Sequence, residues 1–352
     1  MANDEFDATK NASGQSGVSA VSRRQFIVAA AGAVAAAPGQ ALAATAGGLR
    51  IFMVPKWTTY PYFEAAAKGA KKAADQLGDT FTYTGPTSPN AEQQVASLQN
   101  VLVQQPDVIL LAAIEEQNVV PVLKKALARG VAVVTYDADT APDARNLFCN
   151  QLSYELAAQS YLDCALADHP EGGDSVFMAA SPTTVNHMQQ IAAMKKLMTS
   201  NPKYELIKPG KTYFVSDDVS QSYNTMVNIM QADPNVKFML SGSAVSVPAA
   251  QQAIVATGHA GKVWAAGCCL PSDCKKFLDD GSAKQFMMWD PSQLGYMAAY
   301  SAHLIKKKQF TPQPGAELKI PDFGDFKVLA DSVVDLNRPL FFTKENVAQF
   351  SF

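Results

Sequence analysis

Residues 50–69 read RIFMVPKWTTYPYFEAAAKG, and this stretch decides the fold. The apolar run 51–54 predicts a buried strand that ends at Pro55. A helical pattern begins only near Pro61, a residue that fits the first turn of a helix. The strand and the helix are therefore joined by a loop that carries one cation and several large rings, namely Lys56, Trp57 and Tyr60, with Tyr62 and Phe63 directly after it.

The same alternation of short apolar strands and amphipathic helices continues along the chain. It runs through the segments PDVILLAA, NVVPVLKKALARG and VAVVTYDAD, and it restarts after NLFCNQ. Short strands rich in Val, Ile and Leu between amphipathic helices are typical of parallel βαβ units with helices on both faces of the sheet. We therefore predict an α/β protein of two doubly wound parallel-sheet lobes, followed by a turn-rich tail with short strands.

Residues 1–48 are predicted to be a leader. Residues 1–20 are polar and predict disorder. The following SRRQFI, residues 22–27, resembles a twin-arginine export signal, and the small–x–small triplet 41–43 is a candidate cleavage site near Ala43. A membrane anchor is disfavoured because the apolar run is short and contains Pro38 and Gly39. We predict export to the bacterial periplasm.

Composition excludes several classes of function. The 352 residues are about right for two domains. With a net charge of −3 and no basic stripe, the chain is not expected to bind nucleic acid. The five cysteines form neither CxxC pairs nor a zinc-binding spacing, so no metal site is predicted. No cofactor is expected, because NAD and ATP are not supplied in the periplasm. The outer helices look polar, and we expect a monomer.

Polar and aromatic side chains follow the predicted strands where each strand ends. Ligands of open parallel sheets bind at this edge, and two such lobes that face each other form a cleft. Aromatic faces cover the apolar C–H patches of a sugar ring, while charged groups and amides bind its hydroxyls. The pattern predicts a carbohydrate site made of Lys56, Trp57, Tyr60, Phe63, Asp137, Asp139, Asn186, His187, Ser243, Pro248, Cys269, Trp289 and Asp290.

Each of these side chains also has a structural interpretation. The rings could belong to the core, Asp137 could cap a turn, and His187 could be a hydrogen-bonded core histidine. Cys268 and Cys269 could be two small buried residues or a vicinal disulfide. We expect no catalytic residues, because the chain contains no Ser/His/Asp motif and no Gly-rich phosphate loop. An exported hydrolase or thiol enzyme is the less favoured alternative, since no pair of nucleophile and base is visible.

At this level the chain resembles the type I periplasmic binding proteins of sugar ABC transporters. It is most similar to the branch that contains the rhamnose-binding and autoinducer-2-binding proteins. The resemblance spans residues 50–350, and it is carried by FMVPK, TYTGPTSPNAEQQV, VAVVTYDADTAPDARNLFCNQ, SPTTVNHMQQ, VPAAQQAI, MMWDPSQLGYMAAY and FTKENVAQF. The resemblance implies that the protein is not an enzyme. It also implies an ABC transporter permease as the partner, with a chemoreceptor as a possible second partner.

The resemblance also implies how the lobes are divided. Three crossovers would lie near 149–152, 289–291 and 316–320. The N-terminal lobe would comprise 49–149 and 291–317, and the C-terminal lobe would comprise 150–290 and 318–352. The autoinducer-2-binding branch would hold its ligand at Lys56, Asp137, Asn186, His187, Pro248 and Ala250. General pentose and hexose binders would contact sugar at the positions of Tyr60, Phe63, Ser243, Cys269 and Asp290.

One departure from the branch bears on the ligand. Autoinducer-2 binders carry an Asp–Gln pair where this chain has Asn186 and His187. A mismatched buried donor or acceptor costs about 1–3 kcal/mol, which is enough to reject the branch's ligand. We therefore expect a small sugar or polyol: a pentose, a deoxyhexose or a sugar alcohol. Binding of autoinducer-2, or a sensory role, is the alternative.

Overall fold

The structure is a computed structural model, and it describes residues 47–350 and 352. The predicted export signal and its cleavage site near Ala43 lie outside the described residues. The strands are β1 (Arg50–Val54), β2 (Thr80–Tyr83), β3 (Val108–Leu111), β4 (Ala132–Tyr136), β5 (Leu147–Asn150), β6 (Gly173–Ala179), β7 (Ile207–Phe214), β8 (Val236–Ser241), β9 (Trp264–Gly267), β10 (Phe286–Met288), β11 (Glu317–Ile320), β12 (Gly324–Lys327), β13 (Val333–Asp335) and β14 (Leu340–Phe342).

The helices alternate with these strands as the sequence predicts. They are α1 (Pro61–Leu77), α2 (Ala91–Val103), α3 (Glu116–Ala128), α4 (Tyr154–Asp168), α5 (Val185–Ser200), α6 (Val219–Ala232), α7 (Ser246–Ala256), α8 (Pro271–Asp279) and α9 (Pro291–Lys306). Two helix ends use residue types that favour them: Asn90 accepts a hydrogen bond from Gln93 N–H at the start of α2, and Gly78 ends α1 with φ 71°. In the described part of the chain, no helix has the length and apolar character needed to cross a membrane.

The first sheet has the strand order β13-β5-β4-β3-β1-β2, and all its pairs are parallel. Strand β1 lies inside it and is covered on both faces. Ile51 and Met53 pack into the core on the side of α1, while Phe52 and Val54 pack with residues of α2 and α3. Because side chains alternate between the faces of a strand, burial on both faces requires an uninterrupted apolar run.

The second sheet has the order β7-β6-β8-β9, again with parallel pairs. A single parallel bridge from Cys268 to Met287 attaches β10 beside β9, and β14 pairs antiparallel with β10. Helices α4 to α8 belong to this half of the chain and pack around its sheet. The prediction of two doubly wound parallel-sheet lobes is confirmed.

The chain passes between the two sheets at three places. Strand β5 in the first sheet leads to α4, and β10 in the second sheet leads to α9, which packs on α1. The resemblance implies that all of 318–352 belongs to the C-terminal lobe, but Val333–Asp335 pairs with β5 in the first sheet. Because β14 pairs with β10, we propose that the third crossover lies between Asp335 and Leu340 and not at 316–320.

Two glycines allow α1 and α9 to touch backbone to backbone. A methyl group on Gly69 would lie 1.8 Å from the carbonyl oxygen of Ser292, and one on Gly295 would lie 1.9 Å from the carbonyl oxygen of Ala66. Real contacts are never this short, so only glycine fits. The segment that returns from the second sheet is thereby held against the helix that follows β1.

We predict that Gly295→Ala destabilises the protein by about 1–3 kcal/mol or more, because the two helices must separate to admit the new methyl group. Urea unfolding followed by circular dichroism measures the change. Lys68→Ala on the exposed face of α1 is the control, and it should change stability by less than about 0.5 kcal/mol. Equal stability of the Gly295 variant and the native protein would contradict this packing.

Candidate functional site

A cleft lies where the carboxyl ends of the two sheets meet. Its empty space of about 470 Å³ includes solvent that is open to the outside. Nine of the residues predicted from the sequence line it: Lys56, Trp57, Tyr60, Phe63, Asp137, Asn186, His187, Ser243 and Trp289. They follow β1, β4, β6, β8 and β10, either in the loop after the strand or, for Phe63, Asn186 and His187, at the start of the next helix. The strand-end rule therefore brings together residues far apart in sequence.

Lys56 and Asp137 form a buried ion pair on the wall from the first sheet. The Lys56 Nζ lies 3.1 Å from Asp137 Oδ2, and the side chains are 16% and 9% exposed. Asp137 has a φ of 62°, an uncommon conformation for a non-glycine residue that costs of order 1–3 kcal/mol. A pair that is desolvated and held on strained backbone contributes little net stability. Its arrangement instead offers both a cation and a carboxylate to a bound molecule.

Aromatic rings form the adjoining wall and hold one another in place. The ring centroids of Trp57 and Tyr60 lie 5.0 Å apart, and Phe63 meets Trp57 edge-on at 5.5 Å. Trp289, in the second crossover, donates a 2.8 Å hydrogen bond from Nε1 to the hydroxyl oxygen of Tyr62. Because rings fixed in this way lose little freedom on binding, they suit the flat apolar face of a sugar.

His187 lies on the opposite wall, near the start of α5, and is buried. Its Nδ1 accepts a 3.2 Å hydrogen bond from the Ala180 N–H, which assigns the proton of the neutral ring to Nε2. Burial lowers the pKa of His187, and the nearby Lys56 lowers it further, whereas Asp217 and Asp137 act in the opposite direction. We infer a neutral imidazole that offers one N–H donor.

Ser243 links the second sheet to the start of α7. Its Oγ donates to Asp217 Oδ1 at 2.6 Å and accepts hydrogen bonds from the Val245 and Ser246 N–H groups. Asp217 lines the same part of the cleft. This wall therefore presents a carboxylate, fixed by a hydroxyl, opposite the aromatic rings.

The Asp139 carboxylate, which the sequence predicts to bind ligand, is hydrogen-bonded to other residues of the protein. It accepts two hydrogen bonds from the Arg145 guanidinium, at 2.6 and 2.7 Å, and a third from Thr135 Oγ1 at 2.6 Å. Arg145 also donates to the carbonyl oxygens of Asp331 and Ser332. Asp139 does not line the main space of the cleft, but it lines an adjoining pocket that shares Lys56, Asp137 and Asn186 with it. Its interactions join the loop after β4 to the segment that precedes β13.

Asp290 is also used by the fold. Its Oδ1 accepts hydrogen bonds from Ser292 N–H at 2.8 Å, from Ser292 Oγ at 2.7 Å and from Gln293 N–H at 3.4 Å, so it caps the start of α9. Its position next to Trp289 places it in the second crossover and outside the lining of the cleft.

Three further predicted residues lie away from the cleft. Cys269 and Ala250 are fully buried in the core. Pro248 lines a separate groove next to the cleft. Cys268 lines the cleft in place of its neighbour, because residues along an extended segment alternate in direction.

The sequence analysis did not assign eight further lining residues to the site: Tyr62, Gln151, Asp217, Gly242, Ala244, Val245, Cys268 and Met288. Asp217 follows β7, and the strand-end rule could have identified it. Gln151 lies in the predicted first crossover but carried no further signal in the sequence. Tyr62 was visible as part of the aromatic group, but its position on α1 gave no sign of which rings face the cleft.

The cysteines give no sign of redox or metal chemistry at this site. All five are buried unpaired thiols, so Cys268 and Cys269 do not form the vicinal disulfide that the sequence left open. Burial raises the pKa of Cys268 and of Cys269 well above the ordinary value, which keeps both thiols protonated. Among the described residues, no group of three or more His, Cys, Asp or Glu side chains could hold a metal ion.

Comparison with known proteins places this fold and cleft in a family. Residues 51–309 match the model of the periplasmic binding protein domain. The chain belongs to the periplasmic binding protein family. Members of this family are solute-binding proteins, not enzymes. The expected resemblance is thereby confirmed.

Relatives in this family are distant in sequence but close in structure. The chain is 23% identical over 203 residues to the D-apiose import binding protein of Actinobacillus succinogenes, covering 56% of this chain and 63% of the relative. It is 24% identical over 243 residues to the D-ribose/D-allose-binding protein of Pseudomonas aeruginosa, covering 66% and 74% of the two chains. A solute-binding protein of Clostridium phytofermentas with bound L-rhamnose superposes with a TM-score of 0.79 at 27% identity, covering 86% of this chain and 98% of that one.

We predict that Asp139→Ala destabilises the protein by about 3 kcal/mol, because it leaves the buried guanidinium of Arg145 without its carboxylate. Chemical unfolding measures this loss. The variant that remains folded should keep the ligand affinity of the native protein, since hydrogen bonds to Arg145 and Thr135 already occupy the Asp139 carboxylate. A large loss of affinity without a loss of stability would show that Asp139 binds ligand after all.

Proposed function

We propose that the protein is a periplasmic solute-binding protein that captures a small neutral sugar or polyol and delivers it to an ABC transporter permease. The observation that carries this proposal is the cleft itself, in which a fixed aromatic wall adjoins a lysine–aspartate pair and faces a neutral histidine. Rings cover the C–H face of a sugar, and the polar groups around them can bind hydroxyls on its rim. The ligands would be pentoses, deoxyhexoses or sugar alcohols.

The charges in the cleft favour a neutral ligand. The Lys56 ammonium already has a carboxylate partner in Asp137, and Asp217 adds a further carboxylate on the opposite wall. The imidazole of His187 contributes no positive charge. An acidic ligand would meet an excess of carboxylates, whereas a hydroxyl can donate to a carboxylate and accept from Lys56 or His187.

The printed ligands of the relatives fit the same class. They comprise apiose, ribose or allose, and L-rhamnose, all of them neutral monosaccharides. This supports, for the present chain, a cleft that accepts one ring of this size. The substitution of Asn186 and His187 for an acid–amide pair argues against autoinducer-2 as the ligand.

The two-lobe construction supplies the mechanism. In an open form the lobes would exchange ligand with solvent. A molecule that contacts Lys56 and Asp137 on one lobe and Asn186 and His187 on the other favours the closed form by the difference in its affinity for the two forms. The permease would recognise the closed form. We further propose that the chain is exported through a twin-arginine signal cleaved near Ala43 and acts as a monomer, with a chemoreceptor as the alternative partner.

A thermal-shift screen of residues 44–352 against pentoses, hexoses, deoxysugars, polyols and autoinducer-2 tests the proposal. A ligand that binds only the folded state stabilises it by about 2.7 kcal/mol at 100 times its dissociation constant, which raises the melting temperature. We expect a rise with one or a few neutral sugars or polyols. A response to autoinducer-2 alone would move the function to signalling, and no response to any sugar or polyol would contradict the proposal.

We predict that Lys56→Ala and Asp137→Ala each weaken ligand binding by at least about 100-fold, since each removes a charged contact and leaves its partner buried and unpaired. Isothermal titration calorimetry measures the affinity, and circular dichroism confirms the fold. Lys71→Ala is the matched control, because Lys71 and Asp75 form an exposed ion pair on α1. Unchanged affinity in both cleft variants would remove these residues from the site.

We also predict that binding weakens in acid. The folded-state pKa of His187 lies below its ordinary value of 6.5, so the unfolded chain takes up a proton on this residue at a higher pH than the folded one. Stability is therefore lost as pH falls below 6.5, and a ligand that needs the neutral ring loses affinity when the folded protein is protonated. Calorimetric titrations from pH 8 to pH 5 measure this. His187→Gln should flatten the profile, and an unaltered profile in that variant would contradict the assignment.

A further inference from the structure

Gln151 has an unused hydrogen-bond acceptor inside the cleft. Its side chain is 2% exposed and lines the cleft where the first crossover leaves β5. Its Oε1 is buried, and it has no hydrogen-bond partner among the residues that the structure describes. A buried amide oxygen without a partner costs about 1–3 kcal/mol, so a partner is expected in the state that the protein evolved to form.

Two of the three other buried glutamines, Gln94 and Gln251, show how such a side chain can serve the fold, while Gln190 also has a buried unpaired Oε1 but does not line the cleft. Gln94 donates from Nε2 to the carbonyl oxygens of Pro55 and Ala112, and its Oε1 accepts from the Ile114 N–H. Gln251 likewise bonds backbone groups with both ends of its amide. Both use the amide oxygen and the amide nitrogen to tie neighbouring elements together, whereas the Oε1 of Gln151 has no partner and lies at the cleft.

The backbone at Gln151 is held firmly. Its carbonyl oxygen accepts a 3.0 Å hydrogen bond from the Asn337 N–H, and the neighbouring Asn150 carbonyl accepts one of 2.8 Å from Leu336. Asn150 Nδ2 also donates to Asp335 Oδ1 at 2.8 Å. These bonds join the first crossover to the segment after β13. Since β13 belongs to the first sheet, these bonds hold Gln151 in position relative to that lobe.

We propose that Gln151 Oε1 accepts a hydrogen bond from a hydroxyl of the bound sugar or polyol and thereby selects ligands that carry a donor at the hinge end of the cleft. This inference rests on the proposed function and adds to it a residue that sets specificity. A ligand with an ether, a methyl or a hydrogen at that position would leave the oxygen unpaired and would be rejected. Because Gln151 lies at the hinge, this contact would form already in the open state.

The test compares Gln151→Met, which keeps the length of the side chain but loses the acceptor, with Gln151→Glu, which keeps an acceptor. Affinities for D-ribose, L-rhamnose and D-apiose, and for their monodeoxy and O-methyl analogues, are measured by calorimetry. Gln190→Met is the matched control, because Gln190 also has a buried unpaired Oε1 but does not line the cleft. Circular dichroism and melting curves confirm that each variant is folded.

For the sugar that the native protein binds, we expect Gln151→Met to lose about 10- to 100-fold in affinity, as for a lost hydrogen bond to a buried group. Gln151→Glu should retain more of the affinity, and Gln190→Met should bind as the native protein does. One of the deoxy or O-methyl analogues should bind the native protein much more weakly than the parent sugar does. The Gln151→Met variant should bind this analogue and the parent sugar with similar affinity. A purely structural role would not produce this last result.

Native-like affinity and discrimination in a folded Gln151→Met variant would overturn the inference while leaving the proposed function in place, provided that Lys56→Ala still abolishes binding. If Gln151→Met does not fold, a crystal structure of the native protein with its sugar decides. A ligand oxygen within about 3.2 Å of Gln151 Oε1 supports the inference, and a longer separation overturns it. Failure of the native protein to bind any sugar or polyol, both here and in the thermal-shift screen, would overturn both proposals.

Discussion

The burial of β1 on both faces is the constraint on which the rest of this structure depends. Residues 51–54 must all be apolar because two layers of helices cover the sheet. Polar chemistry can therefore appear only where the strand ends, at Lys56 and the residues after it. The same holds for β4, whose apolar run is followed by Asp137. The cleft collects polar and aromatic groups because the interior of each sheet excludes them.

This constraint explains why so much could be predicted from the sequence. Strand and helix positions follow from apolar runs and helical periodicity, and the cap at Asn90 and the end at Gly78 follow from local chemistry. The rule that ligands bind at strand ends identified most of the residues that line the cleft. It could not say which of two neighbours faces inward, and so it chose Cys269 where Cys268 lines the cleft.

Where the structure differs from these expectations, the fold uses the same side chains or segments. The Asp139 carboxylate, which was expected to bind ligand, accepts hydrogen bonds from Arg145, six residues further along the same loop. Asp290 caps α9 through bonds to residues two and three positions later. The strand Val333–Asp335 joins the first sheet, whereas the resemblance implied the other lobe for this segment. The first two interactions are local, but the pairing of β13 with β5 joins distant parts of the chain, and no local pattern in the sequence records it.

The cleft and the hinge are built as one unit. Trp289 in the second crossover bonds Tyr62 of the aromatic wall, and Gln151 in the first crossover lines the same space. A ligand that touches these groups contacts both lobes and the segments that join them. In this account the ligand couples binding to lobe closure because it contacts both lobes directly. No conformational change has to be transmitted through the interior of a lobe.

A crystal structure of residues 44–352 with the sugar or polyol that stabilises them most would test the central claim most directly. The account predicts one ligand in the cleft, with its apolar face on the ring of Trp57 or Tyr60 and its hydroxyls bonded to Lys56 or Asp137 and to the wall that carries His187. A ligand bound elsewhere on the chain, or one that contacts a single lobe only, would contradict it.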